Sequence, residues 1–175
     1  MLDAVRTRRS IRRYEARPIE PTKIEQLQEA MLRAPSSRNL KPWRFVFVTD
    51  PDLLQALAHA KPSFAQSIGG AALGVVICGD TSVSDCWIED GSIAATILQL
   101  TATDLGLGSC WIQIRARQGE DGGPAENRVR EILGLPDELS VLCMISVGYP
   151  AEEKTPRDRE SLDWDKIETR GDERG

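Results

Sequence analysis

Five arginines, Arg6, Arg8, Arg9, Arg12 and Arg13, fall within eight residues near the start of the chain, with Thr7 and Ser10 among them. Guanidinium groups around a hydroxyl suit a phosphate, because Arg donates bidentate, charge-assisted hydrogen bonds and Ser adds a further donor. A second basic pair, Arg157 and Arg159, follows Lys154 near the other end. The two clusters either converge on one phosphate or decorate a solvated helix face. The other stretch that could do chemistry is Ala34-Pro35-Ser36-Ser37-Arg38-Asn39-Leu40-Lys41-Pro42-Trp43, short polar side chains between a helix end and a strand. Such a loop either places Ser and Asn donors at a site on a rigid scaffold or simply turns the chain.

What the chain lacks narrows the chemistry further. Cys78, Cys86, Cys110 and Cys143 lie 8, 24 and 33 residues apart, so no Cys-x-x-Cys pair offers a zinc or redox site and no metal is expected. Cys78 and Cys143 fall inside apolar runs and read as small buried hydrophobes. The one histidine, His59, ends Leu53-Leu54-Gln55-Ala56-Leu57-Ala58-His59 and reads as surface helix. Gly106-Leu107-Gly108 lacks the third glycine of a dinucleotide fingerprint and precedes its strand instead of following one, which excludes a Rossmann reading.

These residues sit on a chain of 175 residues with a formal net charge of −5, which argues against a nucleic-acid partner. At 41% hydrophobic and 28% charged, the composition is that of a globular protein with a real core. Residues 1–168 are expected to form one domain, with 169–175 a disordered tail. No apolar run reaches the roughly 18 residues of a membrane span. Residues 1–6 carry no apolar stretch like a signal peptide, so no membrane association and a cytoplasmic location are expected.

Helical and strand patterns alternate along the sequence. Ile24, Leu27, Ala30, Met31 and Ala34 follow helical spacing, with Thr22 as candidate N-cap and an end near Arg33. Residues 43–48 alternate as a strand, and Asp50-Pro51-Asp52 opens a helix to about Ala60. Residues 73–78 and 141–147 are continuous apolar runs, read as central strands covered on both faces. Residues 92–105 form a helix that is apolar around most of its circumference, and Gly106 stops it. Such a helix must be buried, and a second subunit is the natural cover. Residues 109–114 read as another strand, 117–124 as a mobile loop, and 127–133 as a short helix ended by Gly134. The class is α+β or α/β.

Taken together and in order, these stretches resemble the nitroreductase family of flavin enzymes over roughly residues 5–167. Arg8-Arg9-Ser10-Ile11-Arg12-Arg13-Tyr14 is similar to the family's Arg-x-Ser-x-Arg/Lys-x-aromatic motif, and residues 34–43 to its Ala-Pro-Ser-x-x-Asn-x-Gln-Pro-Trp motif. Asp104-Leu105-Gly106-Leu107-Gly108-Ser109-Cys110-Trp111 matches its central helix-to-strand junction, and Gly148-Tyr149-Pro150 with Arg157-Asp158-Arg159 completes the order. Lys41 stands where Gln is common, Gln113-Ile114 where longer members carry Glu-Gly, and no long insertion follows the central strand.

The resemblance implies an α+β fold, a three-layer α/β/α sandwich with a mostly antiparallel sheet, as an obligate homodimer with two interfacial FMN sites. By the same analogy Arg8, Arg9, Ser10, Arg157 and Arg159 hold the phosphate and Arg12 faces the pyrimidine edge of the ring. Pro35, Ser36, Ser37 and Asn39 reach the flavin from the partner subunit. Trp111, Gln113 and Ile114 line the ring, with amides near Gln113 and Ile114 reaching N5. The implied activity is ping-pong hydride transfer from NADH or NADPH through FMN to a nitroaromatic, quinone or similar small-molecule acceptor. A specialised flavin reaction such as reductive dehalogenation, or FMN binding without turnover, are the alternatives.

Overall fold

The computed structural model describes residues 1–171 and builds them around one four-stranded sheet. The strands β1 (Trp43–Val48), β2 (Leu73–Asp80), β3 (Gly108–Gln113) and β4 (Leu139–Gly148) lie in the order β1-β2-β4-β3, and every neighbouring pair is antiparallel. The two longest apolar runs therefore occupy the two central positions. Around the sheet stand α1 (Leu2–Thr7), α2 (Pro21–Leu32), α3 (Pro51–Ala58), α4 (Trp87–Asp104) and α5 (Ala125–Leu133).

Alternation along the strands divides the core into two halves. Val75, Ile77, Cys143, Ile145 and Val147 pack with Leu27 and Met31 of α2 and Ala94, Ala95 and Leu98 of α4. Val76, Cys78, Ile112 and Met144 pack on the other face with Leu54 and Leu57 of α3 and Val129 of α5. The result is a three-layer α/β/α sandwich on an antiparallel sheet. No helix among the described residues is long and apolar enough to cross a membrane.

Local chemistry explains most element ends. The Asp50 carboxylate accepts from the Asp52 and Leu53 amides at 2.9 and 3.0 Å, capping α3 as its sequence predicts. Thr22 does not cap α2: Pro21, with φ already suited to a helix, is the first helical residue, and Glu20 precedes it without a side-chain cap. The central helix α4 starts at Trp87 rather than at 92, because its first turn carries Glu89 and Asp90, which favour the positive helix end but break the apolar pattern. Gly134, in the left-handed region at φ 60°, ends α5.

Residues 117–124 are a hydrogen-bonded turn and not an open loop, since Gln118 bridges Pro124 and the Gly119 amide donates to the Gly123 carbonyl at 2.7 Å. His59 caps the C-terminus of α3 with its side chain largely exposed. Of the expected tail, 172–175 lie outside the described residues.

The arginine-rich segment after α1 is an extended arm laid across the sheet's end. Ser10 bridges Ser109, the Ile11 amide donates to the Ser109 carbonyl at 3.0 Å, and Tyr14 bridges Pro150. The Tyr14 hydroxyl donates to the Ile11 carbonyl at 2.6 Å and sits 2.8 Å from Ser146 Oγ. Two glycines make room for the arm: a Cβ at Gly108 would lie 2.8 Å from Ile11 Cβ, and one at Gly148 would lie 3.0 Å from the Tyr14 ring.

Two outcomes are expected. Asp50→Ala should lower the unfolding free energy by about 1 kcal/mol through loss of the cap, read as a fall in urea midpoint at unchanged slope. Gly108→Ala should destabilise by about 1–3 kcal/mol, because Ile11 is β-branched and only backbone movement relieves the overlap. Limited trypsin digestion of Gly108→Ala should also cut faster within residues 8–13 as the arm lifts; an unchanged cleavage rate would show that the arm tolerates the methyl group.

Candidate functional site

The docked arm and the segment after β4 bring the two basic clusters together. Arg8, Arg9, Ser10 and Arg12 from the arm, with Lys154, Arg157 and Arg159 from the C-terminal segment, line one cavity of about 780 Å³. Arg6 joins them, and Asp158 is the one carboxylate among the described residues that lines it. Leu2, Val5, Leu162 and Trp164 supply an apolar flank.

The backbone of the arm is pinned, while its cavity-lining arginines keep clear of carboxylates. Glu152 Oε1 accepts from the Arg12 and Arg13 amides at 2.6 and 3.3 Å, and these bonds hold its carboxyl below the usual carboxylate range. Lys154 Nζ donates to the Ser10 carbonyl at 2.7 Å, and the Arg9 guanidinium donates to the Thr155 carbonyl. Yet among the described residues no carboxylate forms an ion pair with Arg8, Arg9, Arg12, Arg157 or Arg159. Arg159 instead lies over the Trp164 ring, 4.9 Å from its centroid. Repelling cations held around a common space need an anion with several acceptor oxygens, and a phosphate provides one.

The other expected site residues lie elsewhere. Pro35, Ser36, Ser37 and Asn39 line no part of this cavity. Their loop is fixed at the start of α4, where the Ser37 amide donates to Asp90 Oδ1 at 2.8 Å and the Lys41 amide to Ser36 Oγ at 3.1 Å. Arg38, Asn39 and Lys41 all hold positive φ, 52°, 57° and 52°, strain of a kind that clusters at binding sites. Asp90 is buried, and its second oxygen has no partner among the described residues.

On β3, Trp111 is half-buried and its Nε1 donates to Gln113 Oε1 at 3.0 Å, which keeps both side chains on one face. Ile114 departs from expectation: its side chain is fully buried in the α3–α5 half of the core, and its amide donates to the Leu142 carbonyl at 3.3 Å. It therefore has neither a side chain nor an amide free for a ring. Lys154 was signalled by its neighbours Arg157 and Arg159. Glu152, Asp90 and the buried Lys61, by contrast, carry no local signal, since tertiary contacts alone single them out.

Comparisons with known proteins agree with this geometry. The chain is 40% identical to an FMN-dependent nitroreductase from Clostridium difficile, whose structure superposes with a TM-score of 0.95 over 98% of this chain and 99% of that one. It is 36% identical over 157 residues, 87% of each chain, to a relative from Archaeoglobus fulgidus whose provisional name is NADH dehydrogenase/NAD(P)H nitroreductase. The NADPH:FMN oxidoreductase of Vibrio harveyi, solved with NAD+, is 25% identical with a TM-score of 0.78 over 98% of this chain and 78% of that one. The model of the nitroreductase family matches residues 5–81 and 84–149, which include the arm, the Ser36–Asn39 loop and the whole sheet, so by sequence and by fold alike the chain belongs to the nitroreductase family.

Proposed function

We propose that this protein is an FMN-dependent NAD(P)H oxidoreductase that reduces nitroaromatic, quinone or similar small-molecule acceptors. The convergence of Arg8, Arg9, Ser10 and Arg12 with Lys154, Arg157 and Arg159 on one cavity carries this reading. Their donors fit the phosphate of FMN, and the five arginines among them pair with no carboxylate among the described residues. When bound, the flavin supplies hydride transfer between the reduced nicotinamide and the acceptor.

The chain's own residues bind, orient and tune. Arg8, Arg9, Arg157 and Arg159 neutralise the phosphate, with the Ser10 hydroxyl as an added donor. Arg12 lines the cavity wall, its backbone held by the amide bond to Glu152. Beside the pyrimidine edge it favours the form of the ring that carries negative charge near N1 and O2. Trp111 and Gln113, tied to each other on β3, form the wall along the ring. No acid or base is required of the protein, which fits a site built from guanidinium groups and backbone.

The working unit in this reading is a homodimer. The Ser36–Asn39 loop sits at Asp90 near one end of α4, and the arm sits beside Ser109, just beyond the other. Asp90 and Asp104 are fourteen residues apart, roughly 21 Å along a helix, too far for one chain to bring both to one ring. Two copies packed with their α4 helices antiparallel would place the loop of one beside the arm of the other. The outward stripe of Ile93, 41% exposed, with Ile97 and Leu100 half-buried, supplies the apolar face for that contact.

Apoprotein titrated with FMN should take up one equivalent per chain and lose its visible flavin absorbance on anaerobic mixing with NADH or NADPH. Failure to take up FMN would overturn the assignment. Uptake without bleaching by either nucleotide would leave a binding protein in place of an enzyme. Arg12→Ala, still loaded with FMN, should show a lower reduction potential; an unchanged potential removes Arg12 from the ring's edge. Sedimentation at micromolar concentration should give a dimeric mass, and a monomer would overturn the shared site.

A further inference from the structure

Outside the basic cavity, arginines in this acidic chain commonly sit on carboxylates, as in Arg17–Glu20, Arg38–Asp85 and Arg128–Glu131. Arg115 and Arg117, two residues apart and both exposed, meet none among the described residues. The one hydrogen bond of either guanidinium among those residues is the long one from Arg117 Nη1 to the Ala116 carbonyl, 3.5 Å. The acids of the turn that follows are engaged elsewhere: Glu120 lies 3.4 Å from His59 Nδ1, and Asp121 Oδ1 accepts from the Gly123 amide at 3.0 Å. A third cation stands close, because Lys61 Nζ donates to the Gln113 carbonyl at 3.0 Å, and burial first, then the charge of Arg117, lower its pKa.

The backbone beneath the two arginines is fixed. The Arg115 amide donates to the Leu142 carbonyl at 3.0 Å, the Arg117 amide to the Ile114 carbonyl at 3.0 Å, and the Arg117 carbonyl accepts from the Ala125 amide at 2.9 Å. Ala116 between them is left-handed at φ 56°, a conformation that costs an alanine energy and that clusters at ligand sites. Two donors forks on a rigid turn, short of any acid, are ready for an anion with several oxygens.

Their place along β3 says which anion. Ser109, where the arm docks, and Gln113 are four residues apart, roughly 13 Å of strand, so this pair stands at the opposite end of β3 from the arm. Gln113 joins it to the Trp111 wall, since its Oε1 accepts from Trp111 Nε1 at 3.0 Å and its Nε2 donates to the Arg115 carbonyl at 2.9 Å. Arg115 is two residues beyond Gln113, at most about 7 Å of chain. With the FMN phosphate held at the arm, the second pair of guanidinium groups remains for a molecule stacked on the ring. A nicotinamide dinucleotide carries a pyrophosphate one ribose away from its reacting ring, whereas nitroaromatics and quinones carry no such group.

We propose that Arg115 and Arg117 form a second anion site, for the pyrophosphate of the nicotinamide dinucleotide that donates the hydride. This rests on the FMN reading above and deepens it: the donor is held by its charged end while its nicotinamide lies on the flavin ring at the Trp111–Gln113 wall. The acceptor makes no use of the site, so the pair serves one half of the reaction only.

The test is the double variant Arg115→Gln/Arg117→Gln, loaded with FMN and mixed anaerobically with whichever of NADH and NADPH bleaches the wild type faster, or with dihydronicotinamide riboside, which has the same ring and no phosphate. Both side chains are exposed, so the variant should fold and keep FMN. At low ionic strength the dinucleotide concentration for half-maximal bleaching rate should rise about tenfold, with the limiting rate within about twofold of wild type, the mark of lost charge-assisted hydrogen bonds. The riboside should bleach both proteins alike. An unchanged dependence on the dinucleotide overturns the proposal. So does an equal loss with the riboside, because arginines that merely shaped the ring site would weaken both donors. Should the variant fail to hold FMN, the wild type decides: millimolar inorganic pyrophosphate should compete with the dinucleotide and leave riboside bleaching alone, and an absence of competition overturns the proposal. A wild-type chain that does not bind FMN, or that no donor bleaches, is a different result, which strikes the FMN or donor assignment before the arginines are reached.

Discussion

An exposed sheet edge must satisfy its backbone groups or invite another chain to do so, and in this fold that requirement organises the functional region. β3 ends the sheet, and its outward carbonyls are met at Ser109 by the arm and at Gln113 by Lys61. The arm brings the arginines with it, so the same hydrogen bond that closes the edge also delivers the charge. Glu152 completes the arrangement, accepting from the Arg12 and Arg13 amides and pairing with the Arg13 and Lys154 side chains, while the Arg12 guanidinium is left to the cavity.

The electrostatics follow from this division between backbone and side chain. An acidic protein carries a cavity lined by seven Arg and Lys side chains and one carboxylate. Such a concentration of like charge opposes folding, and the buried sheet must offset it. The central strands do so with side chains of zero exposure on both faces, Val75, Ile77 and Ile145 on one and Val76 and Met144 on the other. α4 serves both regions: it walls the core with Ala94, Ala95 and Leu98, holds the Ser36–Asn39 loop through Asp90, and keeps an apolar stripe outward.

The strands and the long helices were legible because each is a run with one dominant period. Residues 73–78 and 141–147, continuous apolar runs of strand length, read as central strands, and Asp50-Pro51 announced its helix through cap chemistry. The arginine clusters were legible as a charge anomaly and the family resemblance set them on one phosphate, but spacing alone left their meeting open, since it depends on Gly108 and Gly148 making room for the arm. Ile114 looked like a ring-lining residue by position along the strand, and only the β4 register and the Leu142 carbonyl show why its amide is spent. Lys61 was invisible for a simpler reason. A single lysine before a proline has no period and no motif, and its importance arises wholly from what folds over it.

The docking of the arm also sets an order of events during synthesis. Arg8 to Arg13 are made well before every group that receives them: Ser109 on β3, Pro150 beyond β4, and Glu152 and Lys154 after it. A nascent chain can pair β1 with β2, yet its arginines have nowhere to lie until β4 and the segment behind it have emerged. The basic cavity therefore forms only once residues beyond 150 have been made, and a chain without them could keep much of its core while losing Glu152 and Lys154, which hold the arm in place.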